Sequence, residues 1–135
     1  MNTLENGAVA VGAPGSLIRR LHSLPEPEQT ETRYGVRTST PWGTAQTARS
    51  FGIGIVQYST ASHGGFHVSS GLLRRMDEDM RGDAYAPLGW FEEDCAWSMV
   101  VLSFPERFAL QTRLAALDTL RSTYPQQFER LCRPA

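Results

Sequence analysis

The chemically capable side chains of this chain gather between Ser59 and Glu106. Two of the three histidines, two of the three tryptophans, one of the two cysteines and three adjacent carboxylates lie there. His63 and His67 stand four apart, the interval at which two imidazoles on a helix share a face and chelate a metal ion. Here they flank Gly64-Gly65, which predicts a turn and a returning strand, so the two rings fall on opposite arms. A carboxylate from Glu92, Glu93 or Asp94 would complete a His/His/carboxylate set. A small hydrolase or metal-dependent enzyme using His63, His67 and Glu93 is the catalytic expectation. The competing expectation has both imidazoles hydrogen-bonded at the start of the neighbouring helix, locking the turn, with no metal and no cofactor.

Covalent catalysis would need Cys95, Ser59, Ser62 or Ser69 beside one of these histidines, with a carboxylate to orient the ring. Adjacent Ser62 and His63 are poorly placed to face one another. Cys95 follows Glu92, Glu93 and Asp94, and a reactive thiol needs exposure and positive surroundings. A glycosidase pair needs two acids across a cleft, and Glu92 and Glu93 are sequence neighbours that point apart. All thirteen basic residues are arginine. The absence of lysine excludes Schiff-base chemistry and a Walker phosphate loop. Trp42, Trp90 and Trp97 read as packing anchors, with Trp90, beside Pro87-Leu88-Gly89, expected to be half exposed and available as a contact.

The elements that must carry these residues change character along the chain. Residues 1–31, rich in Gly, Pro, Ser and Glu, predict a flexible arm, with one short helical turn over Ser16–His22. Strands are expected at Tyr34–Thr38, at 44–50 and over Phe51–Ser59, joined by a Thr40-Pro41-Trp42-Gly43 turn and followed by a strand at Gly65–Val68. From Ser69 the apolar period becomes helical. Leu72, Leu73 and Met76 predict a helix capped by Ser69 or Ser70 and ended by Gly82. A buried helix is expected over 92–104, with Glu92, Glu93 and Asp94 favouring its N-terminus. A further helix should start at Pro105 and carry Phe108, Leu110, Leu114, Leu117 and Leu120, followed by a last one or two turns over Gln126–Cys132. Strands followed by helices predict an α+β fold: a small antiparallel sheet, about residues 33–69, packed against C-terminal helices in one domain spanning 32–135.

A net charge of −1 over 135 residues argues against direct nucleic-acid binding. The charge is uneven, since residues 71–95 hold three arginines against seven acids and residues 96–135 hold five against three. With two cysteines no disulfide framework is expected. No apolar run is long enough to span a membrane and no signal peptide is evident, so a cytoplasmic location is expected.

Four blocks, Thr40–Gly43, Gly54–Gly65, Gly89–Cys95 and Phe104–Glu106, resemble a bacterial domain family found in plasmid, integrative-element and phage proteins. The resemblance covers about residues 40–108. It implies a mobile-element accessory protein but carries over no activity. Proteins of that context often antagonise host defence, as anti-restriction and anti-CRISPR proteins do. The leading expectation is therefore a non-enzymatic protein that binds a host partner, for instance a defence-complex subunit. Its expected contact residues are His63, His67, Asp77, Glu78, Asp79, Tyr85, Trp90 and Glu92, and its oligomeric state is left open.

Overall fold

A computed structural model of the protein describes residues 14–82 and 86–133. Helix α1 (Pro14–Ser23) precedes strand β1 (Thr32–Tyr34), the hairpin β2 (Ser39–Thr40) and β3 (Gly43–Thr44), and strands β4 (Thr47–Ser50), β5 (Ile55–Ser59) and β6 (Gly64–Val68). A short helix α2 (Ser70–Leu73) and a 3-10 turn (Glu78–Met80) lead to strand β7 (Trp90–Glu92). The chain finishes with α3 (Trp97–Ser103), a 3-10 turn (Pro105–Arg107), α4 (Leu110–Thr123) and α5 (Pro125–Cys132). The fold is α+β, as the order of periodicities predicts. One five-stranded sheet runs β1-β4-β5-β6-β7, antiparallel throughout, beside the two-stranded β2-β3 hairpin.

Directly opposed residues of antiparallel strands share a face, so the register sorts the side chains into two sets. Thr32, Arg49, Gln57, Phe66 and Phe91 form one cross-strand row on the face that carries the helices. Tyr58, Gly65 and Glu92, with Val56, His67 and Trp90 in the next row, lie on the opposite face. Helix α3 packs on β6, and α4 packs on α3. Ser98, Met99, Val100, Val101 and Leu102 are all buried, so α3 is enclosed all round rather than amphipathic. Its one hydroxyl in that run, on Ser98, donates to the Cys95 carbonyl at 2.7 Å and is satisfied.

Several boundaries differ from expectation, each for a local reason. Strand β1 stops at Tyr34 because Gly35, at φ 74°, turns the chain out of the sheet. The expected strand 44–50 is split, its first residue belonging to the hairpin and Thr47–Ser50 forming β4. The apparent long strand from Phe51 is a turn up to Gly54: Phe51 N–H donates to the Ile55 carbonyl at 2.9 Å, and Gly52 and Gly54 adopt φ near 90°. The β5–β6 turn falls at Thr60–His63, where the Thr60 hydroxyl accepts from His63 N–H and donates to the His63 carbonyl. Gly64 and Gly65 are therefore buried strand residues and not the turn. A Cβ on Gly65 would run into the Phe91 carbonyl and the Trp42 ring, so its bareness lets strand and indole close over it.

The helix expected over 69–82 is only four residues long, capped by Ser69, and then breaks into the 3-10 turn. Arg81 closes that break by donating to the carbonyls of Met76 and Arg74. The helix expected over 92–104 begins at Trp97, since Trp90–Glu92 is taken into the sheet as its fifth strand. The helix expected at Pro105 begins at Leu110, because Phe108 is extended.

Residues 14–31 fall within the segment expected to be a flexible arm with one helical turn over Ser16–His22; most of their side chains are exposed, but the helix there is anchored. Leu17 and Leu21 belong to the core, and α1 lies against α4 and α5. Arg113 of α4, fully buried, donates to the carbonyls of Leu21 (2.8 Å), Leu24 (3.2 Å), Pro25 (2.8 Å) and Pro105 (2.8 Å). Glu26 lies 3.7 Å from the same guanidinium and accepts from Leu110 N–H at 2.9 Å, taking one free donor of the α4 N-terminus. The segment after α1 is thereby held across the start of α4 as a strap.

Candidate functional site

The structure divides the expected His/His/carboxylate set between the two faces of the sheet. His63, in the β5–β6 turn, lies 3.7 Å from Glu93, beyond hydrogen-bonding distance but close enough for an exposed ion pair when the ring is protonated. His67 belongs to the other face of the sheet, where its ring packs 4.6 Å from Trp90. The expected trio His63, His67 and Glu93 is thus divided: the structure pairs the first with the third. Among the described residues no three His, Cys, Asp or Glu side chains gather in a metal-holding group. The Thr60 hydroxyl bonds only the His63 main chain, and none of the described hydrogen bonds joins the His63 imidazole to a serine, threonine or cysteine side chain.

Glu92 is engaged elsewhere. Its carboxylate accepts from the backbone N–H groups of Asp94 (2.6 Å), Cys95 (2.8 Å) and Ala96 (2.7 Å). It closes the turn between β7 and α3, the role a capping residue plays at a helix start. Asp77 and Glu78 are exposed, whereas Asp79 is 3.6 Å from Arg130 and its carbonyl accepts from Gln127, fastening the 3-10 turn to α5. Tyr85 lies outside the described residues. Trp90 is half-buried at the centre of an aromatic cluster with Trp42 (5.6 Å, edge-on), Tyr58 (5.8 Å) and His67. Burial holds the His67 imidazole below its usual value. Cys95 and Cys132 are free thiols, and burial raises the pKa of Cys132 with a partial offset from Arg121. A raised thiol is less reactive.

The structure instead presents a cleft of about 490 Å³ on the helix-bearing face of the sheet. Its origin lies in the cross-strand row. Phe66 and Phe91 are buried in the helix-packed core, while Arg49 and Gln57, in the same row on β4 and β5, are not. The strap residues Pro27–Thr30 form one wall and Ala109 and Thr112, at the start of α4, form another. Glu93 and Trp97 stand on the side of β6 and α3. The aromatic lining is a packed triad: Phe51 stacks on Phe108 at 4.8 Å, and Phe66 meets both edge-on at 5.7 and 5.6 Å.

Two arginines line this cleft and they differ in availability. Arg107 donates to the carbonyls of Phe51 and Ile53, each at 2.9 Å, and so ties the β4–β5 turn to the 3-10 turn before α4. Arg49 has its guanidinium carbon 5.1 Å above the Phe51 ring centre and donates from Nε to the Thr30 hydroxyl at 3.0 Å. Among the described residues it has no carboxylate partner. A guanidinium held by stacking and one hydrogen bond keeps its terminal donors for a planar anion. The sequence reading passed over Arg49 and Gln57. Their signal is the alternation in β4 and β5, but it becomes visible only once the turn at Phe51–Gly54 fixes which residues stand opposite.

A five-stranded antiparallel sheet with helices on one face and a polar-rimmed aromatic cleft beside them defines an α+β domain built around a recess. Residues 35–135 match the family described as a domain of unknown function, DUF7007. The chain belongs to that family. The match leaves the strap wall of the cleft, Pro27–Thr30, outside it. No curated protein and no solved structure matches the chain.

Proposed function

We propose that the protein acts by binding, with the cleft between the sheet, the strap and α4 as its recognition element. The observation that supports this most is the combination in one recess of an arginine without a carboxylate partner among the described residues and an aromatic triad. That pairing of apolar walls with few, fixed polar groups is the usual form of a ligand site. The partner in this reading is a host protein. Inhibition of a host defence complex is the most concrete form of the proposal, and it rests on the resemblance to mobile-element proteins.

The test compares capture of a partner by the native protein, by Thr112→Trp, which fills the cleft, and by Trp90→Ala on the opposite face. Retention by Trp90→Ala with loss in a folded Thr112→Trp supports the proposal. A partner held equally by Thr112→Trp refutes it. A second reading, acid–base catalysis, draws on the His63–Glu93 pair because Glu93 also lines the cleft. It requires His63→Ala to abolish the biological effect while leaving partner capture intact.

A further inference from the structure

The geometry points to a carboxylate carried on an aromatic body as the group the cleft receives, an inference that rests on the binding reading above. Three observations converge on it. First, Arg49 has no acidic partner among the described residues: neither Glu28 nor Glu93, the two acids on the cleft lining, forms an ion pair with it. Second, the Arg49 fork is fixed from two sides, by Phe51 beneath it and Thr30 at Nε. A guanidinium so restrained loses little further freedom on gripping a planar carboxylate in two parallel hydrogen bonds. Third, the part-buried Phe51 and Trp97 line the recess beside the buried rings of Phe66 and Phe108, which gives a flat apolar group a hydrophobic floor. At about 490 Å³ the recess suits a ligand of one or two rings. Gln57, in the row beside Arg49, supplies a neutral amide that can pair with a ligand amide.

The same chemistry has two sources, a free aromatic acid or the C-terminal residue of a polypeptide, and the probes separate them. N-acetyl-tryptophan and N-acetyl-tryptophan amide are titrated into the full-length protein by calorimetry. A pentapeptide ending in phenylalanine is titrated with a free or an amidated terminus. The inference expects each acid to bind at least about tenfold more tightly than its amide, a preference of about 1.4 kcal/mol. Arg49→Met should abolish that preference, and Arg49→Lys, which keeps charge but not the fork, should retain only part of it.

Binding of N-acetyl-tryptophan with no gain from the peptide identifies a small-acid site. A clear gain from the peptide identifies capture of a chain terminus. Equal affinity for acid and amide in the native protein overturns the inference, as does the absence of binding by both acids. These comparisons use the native chain, so a poorly folding Arg49 variant leaves the decision intact. Loss of the partner from Thr112→Trp together with no acid preference would refute the ligand class while sparing the binding reading.

Discussion

Replacing Arg113 by methionine isolates what holds the N-terminal segment in place. Methionine approximates the apolar stem of arginine, so the perturbation removes donors and charge with little change in packing. Four main-chain carbonyls lose their donor, three of them at 2.8 Å. A hydrogen bond from a charged donor contributes about 1.5–3 kcal/mol, so four give a gross loss of about 6–12 kcal/mol. Two effects reduce it. The variant no longer buries a guanidinium, whose desolvation costs several kcal/mol. The carbonyls of Leu24 and Pro25 also regain water once the strap lifts, and the largely exposed Glu26 needs no replacement partner.

A net loss of about 3 kcal/mol is expected, close to the lower end for breaking a buried ionic contact. Against a total of about 5–15 kcal/mol, the variant remains folded. Urea unfolding should show a midpoint lower by about 1–3 M. Hydrogen exchange should show the amides of residues 14–31 losing protection before those of β5 and β6, because the contacts removed are confined to α1, the strap and the start of α4. Arg113→Lys, with three donors on a point charge, should fall between the two proteins. An unchanged midpoint, or full protection of residues 14–31 in Arg113→Met, would refute the role assigned to this side chain.

Gly65→Ala should cost about 3 kcal/mol in chemical unfolding, since its Cβ meets backbone at Phe91 as well as the Trp42 ring, while Gly71→Ala, with nothing within 4 Å, should be neutral or stabilising by up to about 1 kcal/mol. Trp42→Ala should relieve the first of these only in part, because the Phe91 carbonyl stays in place. Glu92→Ala should destabilise by about 2 kcal/mol and Glu92→Gln by less, read as a fall in melting temperature, because three N–H groups lose a charged acceptor. His67 is held neutral by burial, so the unfolded chain takes up its proton first as the pH falls. Its contribution to stability is present above about pH 6.5 and declines below that, until the lower pKa of the folded state is reached. His67→Gln should lack this segment of the stability–pH curve, and an identical curve would count against the assignment.

The architecture was legible because it depends on periodicity. The alternation around Val56 and the helical spacing of Leu110, Leu117 and Leu120 each point to one element type, and both elements are present. Strand β7 was not legible. Trp90-Phe91-Glu92 has three residues, too few to show a period, and its pairing with β6 bridges the whole of α2 and the turns after it. The glycines misled for a related reason: Gly64-Gly65 has the composition of a turn, yet both are bare because other groups approach them. The strap was concealed by its own polarity. Pro25-Glu26-Pro27-Glu28 carries little that could pack, and its attachment comes from an arginine almost ninety positions away. His63 and Glu93 could be brought together from residue type alone, but Arg49 and Gln57 needed the register.

The attachment of α1 to α4 also sets an order of events during synthesis. The Leu21 carbonyl and its donor on Arg113 are separated by 92 positions. At about 5–20 residues per second, the ribosome takes roughly 5–20 s to supply the second half of that contact after the first. During this interval the apolar face of α1, with Leu17 and Leu21, has no α4 to cover it, and an isolated ten-residue helix is marginal in water. The earliest helix among the described residues is therefore among the last to settle. While nascent, it offers a hydrophobic segment to chaperones that the finished protein conceals.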